Sequence, residues 1–328
     1  MNGKGSISKM NDLGKESVTW LEIDESAAGQ RIDNFLIRHL KGVPKSHLYR
    51  ILRSGEVRVN SGRVDATCRL EVGDKIRIPP IRLAAKPAAE GIALPVIVRL
   101  KQTVLYEDDA LLVIDKPSGL AVHGGSGISR GVIEQLRLER PELKFLELVH
   151  RLDKETSGVL LLAKKRSALT KLHAMMRDGE VEKRYFALVK GVWKDEKRAV
   201  KLKLHKYLTA DGERRVSVTE EGKAAHTIFY LRQALRGYTL LEAELKTGRT
   251  HQIRVHLAHL GYPIAGDDKY GDFPLNKLLA KQGLKRMFLH AFSVAFMHPL
   301  TGEALCIEAP LPKDLTRFVN SLSKAAPV

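Results

Sequence analysis

Cysteine is nearly absent from this 328-residue sequence. Cys68 and Cys306 lie far apart, which argues against a disulfide framework and against a cysteine-based zinc site, and fits a reducing compartment. Long apolar runs are missing as well. No stretch approaches the ~18 residues that a membrane span requires, and residues 1–17 contain no apolar segment of the signal-peptide kind. The expectation is a cytoplasmic protein with no membrane association, whose first 17 residues, rich in Gly, Ser, Lys and Asn, form a disordered tail. No fixed-period repeat is visible, which excludes solenoids and propellers. Acidic residues are also scarce: 38 Asp and Glu stand against 55 Lys and Arg, a formal charge of +17. Such an excess favours a polyanionic partner, because neutralising phosphates releases counter-ions. The bland alternative is a basic soluble protein without one.

The length exceeds that of a usual single domain and suggests two. Ile32, Phe35, Leu36 and Leu40 recur at helical spacing until Gly42-Val43-Pro44 interrupts them. A second helix follows, with Ser46 as its expected N-cap, a stripe of Leu48, Ile51 and Leu52, and Ser54-Gly55 as its end. Alternation at Val57 and Val59 and at Ile76 and Ile78 adds strands. Arg31, Arg38, Lys41, Lys45, Arg50, Arg53, Arg58 and Arg63 load this segment, opposed between residues 31 and 63 only by Asp33 and Glu56. A solvated face is one reading, yet so unbalanced a face repels itself without a polyanion. Pro79-Pro80 and the Ala, Pro and Gly of residues 84–91 read as a linker.

Farther on, Leu111-Leu112-Val113-Ile114 reads as a strand turned by Asp115-Lys116-Pro117-Ser118-Gly119. His123-Gly124-Gly125-Ser126-Gly127 lacks the Gly-Lys-Ser/Thr of a phosphate loop and is read as a flexible loop. His150-Arg151-Leu152-Asp153-Lys154-Glu155-Thr156-Ser157-Gly158 crowds acid, base and hydroxyl groups directly before the apolar run Val159–Ala163, a buried strand. Composition alone leaves this nine-mer open between a surface turn and a site fixed on a rigid element. Residues 164–178 predict an amphipathic helix with a basic face, leading into a strand on which Tyr185, Ala187 and Val189 share one face. Thr250 is the expected N-cap of a helix from His251 to Leu260, closed by Gly261. Its buried stripe is Ile253, Leu257 and Leu260, and Arg254 falls at the border of that stripe. His251, His256, His259, His290 and His298 invite a metal reading, but no HExxH arrangement accompanies them and no metal is expected. Asp267-Asp268-Lys269-Tyr270-Gly271 reads as a turn. Strands and helices mix irregularly over residues 105–310, which points to an α+β fold.

His150-Arg151-Leu152-Asp153 with Thr156-Ser157-Gly158 resembles the catalytic motif of the RluA-type pseudouridine synthases. Residues 183–189, Lys-Arg-Tyr-Phe-Ala-Leu-Val, resemble that family's tyrosine motif, and residues 247–256, Thr-Gly-Arg-Thr-His-Gln-Ile-Arg-Val-His, its arginine motif. The resemblance implies Asp153 as nucleophile, Tyr185 packed against the target base, and Arg254 as the partner of Asp153. Arg151 is implied as a wedge in the vacated base stack, with a phosphate contact as its alternative, and Arg249 as a further RNA contact. Residues 18–82 resemble an S4 RNA-binding domain, which implies that Arg31, Lys45, Arg50, Arg53 and Arg58 hold structured RNA. The implied organisation is a tail (1–17), an S4-like α/β domain (18–82), a linker (83–104) and a catalytic domain (105–320) with a mixed, mostly antiparallel sheet and a central cleft. The branch of the family most similar to this sequence implies several uridines of 23S rRNA, in free large-subunit rRNA or an assembly precursor, as substrate. The isomerisation implies no cofactor, and a monomer is the expectation. A non-catalytic ribosome-binding or assembly factor is the alternative; it explains the charge but leaves the nine-mer unexplained. A metal-dependent hydrolase is the third reading.

Overall fold

In the computed structural model the chain divides into the units Met1–Pro95 and Val96–Val328, the first built on one hydrophobic core and the second on several. The structure describes residues 17–25, 27–40, 43–81, 99–124, 130–210 and 212–324. Nearly all of the expected tail, most of the expected linker and residues 125–127 of the 123–127 loop lie outside these residues.

In the first unit β1 (Thr19–Glu22) is followed by α1 (Ile32–His39), α2 (Lys45–Arg53), β2 (Arg58–Val59), β3 (Gly62–Arg63) and β4 (Lys75–Ile78). The strands lie in the order β1-β4-β2-β3, each pairing antiparallel. The expected stripes are the buried ones: Ile32, Phe35 and Leu36 of α1 and Leu48, Ile51 and Leu52 of α2 pack on Val59, Ile76 and Ile78. Period 3.6 in the helices and period 2 in the strands thus aim their apolar residues at one layer. The expected N-cap is displaced, however. Ser46 lies inside the first turn of α2, and Pro44 occupies the capping position with no side-chain cap. Its fixed φ of −58° starts the turn, and its carbonyl accepts from His47 and Leu48.

The second unit contains β5 (Val104–Glu107), β6 (Leu111–Lys116), α3 (Val132–Glu139), β7 (Glu147–Leu148), β8 (Ser157–Ala163), α4 (Arg166–Asp178), β9 (Glu182–Lys190), β10 (Lys197–Leu208), β11 (Arg214–Val218), β12 (Lys223–Leu235), β13 (Tyr238–Leu245), α5 (Gln252–His259), α6 (Phe273–Lys281), β14 (Leu289–Met297), β15 (Ala304–Glu308) and α7 (Lys313–Lys324). One mixed sheet orders them β11-β10-β12-β13-β9-β14-β8-β6-β5, with β15 joined to β14 and β7 to β8. Among the described residues all pairings are antiparallel except that of β8 with β14, where Ser157 faces His290 and Gly158 faces Ala291. Residues 99–104, expected as linker, belong to this unit: Leu100 is fully buried and its backbone N–H donates to Glu139 of α3 at 3.2 Å. Likewise α7 runs past the expected boundary at 320, because Leu315, Phe318 and Val319 pack on Leu188 and Phe288.

The unbroken apolar runs have a direct cause. β6 and β8 are covered on both faces, so Leu160 and Leu162 enter one core with Leu112 and Ile114, while Val159 and Leu161 enter another with Ala168 and Leu172 of α4. Tyr185, Ala187 and Val189 face the first of these cores together, as alternation requires. Among the described residues no helix is long and apolar enough to cross a membrane.

The parallel join depends on a glycine. Gly158 has φ +110°, and a Cβ there would lie 2.1 Å from the Ala291 carbonyl oxygen. Gly158→Ala should therefore cost about 3 kcal/mol or more, combining backbone strain with forced separation of β8 from β14. At Gly179, whose φ is +80° but whose Cβ would meet nothing, alanine should cost only about 1 kcal/mol. Urea unfolding of the two variants compares them directly, and equal losses would contradict the steric account.

Candidate active site

The loop before β8 is held by backbone carbonyls bonded to a buried lysine. Lys116, at the end of β6, has no exposed surface, and its Nζ donates to the carbonyls of Pro117 (2.9 Å), Leu120 (2.8 Å) and Lys154 (3.1 Å). Burial pushes its pKa down to about 7; three acceptors around one Nζ suit the ammonium, which has three donors. Ser118 Oγ donates to the Glu155 carbonyl at 2.7 Å and Gly119 N–H to that of Lys154 at 2.9 Å. The Asp115–Gly119 turn is thereby the base on which residues 153–155 rest. On the other side His150 Nε2 accepts the Leu161 N–H at 3.1 Å, so the ring is neutral and tied to β8. Asp153 sits between these anchors, with its side chain about a quarter exposed.

Arg254 meets Asp153 from α5. Its Nη1 donates to Asp153 Oδ2 at 3.2 Å, but its closer partner is Asp267, reached at 2.8 Å through Nε and 2.7 Å through Nη2. Asp268 adds a contact at 3.3 Å, and the guanidinium lies 5.2 Å from the Tyr270 ring centre. Two expectations change here. Arg254 lies inside the stripe, only 3% exposed, and Asp267 is a buried counter-ion where a plain turn was expected. The turn is present, since Lys269 and Tyr270 donate backbone N–H groups to Asp267 Oδ1, but it serves to fix the carboxylate. Burial works against the guanidinium charge; the bonds and charge of Asp267, with Asp153, outweigh it and raise the Arg254 pKa. Burial would raise the Asp267 carboxyl, and the same Arg254 bonds bring it below its usual range.

Thr250 does not cap α5. The helix starts at Gln252, and His251 at its entrance adopts the left-handed conformation, φ 53° and ψ 21°, with no side-chain cap. This bend turns the His251 ring toward Asp153, Nε2 lying 3.8 Å from Oδ1. Tyr270 OH accepts the Val216 N–H at 2.9 Å and lies 2.8 Å from His251 Nδ1. Its own proton is therefore available to Nδ1, which assigns the remaining ring proton to Nε2 on the Asp153 side. Gln252 fixes the preceding loop: its Oε1 accepts from Thr247 Oγ1 and Arg249 N–H, and its Nε2 donates to Thr227 Oγ1 and the His226 carbonyl. Asp267, Tyr270, His251 and Lys116 were not singled out as site residues from sequence. The adjacent acids before Tyr270 were the available signal.

Around Asp153 opens a cleft of about 620 Å³. Arg151, Arg177, Lys183, Lys206, Lys246, Arg249 and Arg254 line it, and the carboxylate among the lining residues is that of Asp153. Arg151 and Arg249 are exposed at its wall, and Arg249 Nε is steadied by the Ala224 carbonyl at 3.2 Å. Tyr185 lines the cleft from β9 beside Leu289 of β14, and burial, then the charge of Asp153, raises its pKa. A carboxylate in so basic a cavity can act as a nucleophile or base on a substrate that brings its own phosphates.

Within the first unit Lys45, Arg50, Arg53 and Arg58 are exposed. Arg31 is instead engaged with buried Asp33, through Nη2 at 2.6 Å and Nε at 3.2 Å. The histidines of the metal reading go separate ways: His251 faces Asp153, His256 is buried in α5, His290 lies between Ser157 and the Ala309 carbonyl, and His298 meets Asp108. Among the described residues no group of three His, Cys, Asp or Glu is placed to hold a metal ion. Cys68 and Cys306 are free.

Residues 110–259 match the family model described as RNA pseudouridylate synthase. The chain is 51% identical over 308 residues to ribosomal large subunit pseudouridine synthase C of Pasteurella multocida (strain Pm70), covering 94% of each. It is 52% identical over 312 residues to the protein of that name from Escherichia coli (strain K12), covering 94% of this chain and 98% of the relative. Among solved structures, human RNA pseudouridylate synthase domain containing 4 superposes with a TM-score of 0.55 at 27% identity, covering 68% of this chain and 94% of that one. Human RNA pseudouridylate synthase domain containing 1 shares the fold with a TM-score of 0.54, covering 69% of this chain and 95% of that one.

Replacing Asp267 with Asn would leave the buried Arg254 charge half compensated. Asp267→Asn should destabilise the chain by about 3 kcal/mol or more, whereas Asp268→Asn, at a carboxylate two-thirds exposed, should change urea stability by less than about 1 kcal/mol. A second outcome concerns pH. Burial pushes the pKa values of His150, His256 and His290 down to about 4 from an ordinary value of 6.5. The unfolded chain takes up these protons below pH 6.5 and the folded chain only near pH 4. Stability should thus be complete above pH 6.5 and fall between 6.5 and 4, by up to about 1.4 kcal/mol per pH unit for each histidine. A urea midpoint that stays constant from pH 7 to pH 4.5 would show that the three rings are not held neutral.

Proposed function

Since this chain belongs to the RNA pseudouridylate synthase family and is an RNA pseudouridine synthase, we propose that it converts several uridines of large-subunit (23S) ribosomal RNA to pseudouridine, with Asp153 as nucleophile on a flipped-out base. The observation that carries the reading is the bond between Asp153 and a buried, anchored Arg254 inside a cleft whose other charged lining residues are Arg and Lys.

The reaction breaks the N1–C1′ bond of uridine and forms a C5–C1′ bond. The proton on C5 is lost and N1 gains one, so the product is an isomer, with no electron or phosphate transferred. No cofactor is needed. Attack of the Asp153 carboxylate at C6 of the base, attack at C1′ of the sugar and proton removal from C2′ all require the same thing of the protein: a carboxylate fixed against the extruded nucleotide. Arg254 supplies that fixity, because its own position is set by Asp267. Tyr185 forms a wall for the base, and its raised pKa keeps the phenol protonated. Turning the base out costs a few kcal/mol. Arg151, exposed two residues before Asp153, fills the vacated stack with its planar head, and Arg249 meets the backbone phosphates.

Residues 18–82 act in this reading as an S4-like RNA-binding domain. Two amphipathic helices over a small antiparallel sheet, with Lys45, Arg50, Arg53 and Arg58 exposed, support it. Arg31 contributes through its pair with Asp33, presenting a fixed guanidinium edge. The partner is large-subunit rRNA or its assembly precursor, bound by a monomer working in the cytoplasm.

The test is a map of pseudouridines in rRNA from cells lacking the protein, complemented with wild type or Asp153→Asn. The marks should return with wild type alone, while the purified Asp153→Asn protein binds its RNA within a few-fold of wild type. Restoration by both versions would remove Asp153 as nucleophile, and the loss of no mark would remove the assigned substrate.

A further inference from the structure

Four side chains form a row across the sheet of the first unit. Trp20 pairs with Arg77, Arg77 with Arg58, and Arg58 with Arg63, so the strand order β1-β4-β2-β3 sets them side by side. Direct register partners in antiparallel strands point to the same face. That face is the outer one, because the alternate residues Val59, Ile76 and Ile78 enter the core under α1 and α2. With strands about 4.8 Å apart, the row spans ~15 Å.

Its chemistry is uneven in a telling way. Trp20 is 54% exposed, and among the described residues no ring stacks on it. An exposed indole in a solvent-facing strand gains nothing for the fold. Two of the three guanidiniums are held by the backbone: Arg77 Nη1 donates to the Glu56 carbonyl at 2.8 Å and Arg58 Nε to that of Gly55 at 3.1 Å. Carbonyls orient a guanidinium without neutralising it. The acid on the same face is Glu22, which stands opposite Lys75, and the Glu56 carboxylate bonds Ser54. Three like charges at strand spacing repel one another in the absence of anions.

We propose that this row is a binding surface for single-stranded RNA, on which a base stacks against Trp20 and the following phosphates lie along Arg77, Arg58 and Arg63. The proposal rests on the reading that the chain binds ribosomal RNA and extends its contacts from Lys45, Arg50 and Arg53 of α2 to a surface on the sheet, with Arg58 common to both. Single strands are favoured over duplexes because an indole can cover only a base whose face is already free.

The chain has two tryptophans, and Trp193 is buried at 2% exposure, so emission changes on RNA binding report Trp20. The experiment titrates the full chain with a fluorophore-labelled 12-nucleotide uridine RNA and, separately, with a 12-base-pair RNA duplex, following tryptophan emission and label anisotropy together. The expected result is saturable quenching by the single strand, absent in Trp20→Phe and absent with the duplex. The double variant Arg58→Gln/Arg77→Gln should shift the quenching titration at least about tenfold and lower the slope of log affinity against log salt by roughly 1.4, two contacts of about 0.7 each. Single-strand binding by anisotropy with unchanged Trp20 emission overturns the surface, as does failure of the single strand to bind at all. Quenching by the duplex as strong as by the single strand overturns the choice of ligand. Pseudouridine formation on rRNA by the same preparations separates each of these failures from failure of the enzymatic reading.

Discussion

The ion pair between Arg254 and Asp267 is the contact on which the cleft depends. A guanidinium that is 3% exposed would be untenable alone, since removing it from water costs several kcal/mol. Asp267 answers with both oxygens, and its own spare valence is taken by the N–H groups of Lys269 and Tyr270. Arg254 can therefore present Nη1 to Asp153 from a fixed position. The arrangement separates two tasks: Asp267 keeps the arginine in place, and the arginine in turn fixes Asp153 at the cleft wall.

A comparable logic governs the loop of Asp153. Its backbone, and not its side chains, is tied down by Lys116, Ser118 and Gly119 of a neighbouring turn, while β8 is clamped between β6 and β14. Both anchors of the Asp153–Arg254 pair, Lys116 and Asp267, are buried groups with full sets of partners. Around them Arg151, Arg177, Lys206, Lys246 and Arg249 reach the cleft among apolar and neutral side chains, so rigidity lies beneath and long adaptable cations above. For a polyanionic substrate this is a sensible division, because phosphates tolerate variable geometry and the reacting base does not.

How much of this was legible depends on the range of the interaction concerned. The buried run Val159–Ala163, the helix ending at Asp178 and the shared face of Tyr185, Ala187 and Val189 are encoded by local periodicity, and they stand where the periodicity puts them. The helix of residues 252–259 was found but its entrance was not, because a threonine before a helix suggests a cap and nothing local marks His251 as left-handed. Asp267 was read as part of a turn, since its role exists only once α5 has brought Arg254 across to it. Lys116 inside a Lys-Pro-Ser-Gly turn has the composition of a surface residue and the burial of a core one. In each case the missing information was a tertiary partner. The Arg254–Asp153 pairing was legible through resemblance to a family, and no spacing rule would have supplied it.

The parallel join at Gly158 and Ala291 governs when the enzyme can first exist during its own synthesis. Asp153 and Arg254 are 101 residues apart, and the strand seam beside them, at Ser157 and His290, closes over 133. Contacts so distant in sequence form late and slowly compared with hairpins such as β12–β13. The order of emergence from the ribosome therefore sets a threshold: until β14 has left the exit tunnel, β8 and β9 have no common neighbour and the walls of the cleft have no fixed spacing. A nascent chain thus carries its RNA-seeking charge well before the strand at residues 289–297 gives the cleft its walls.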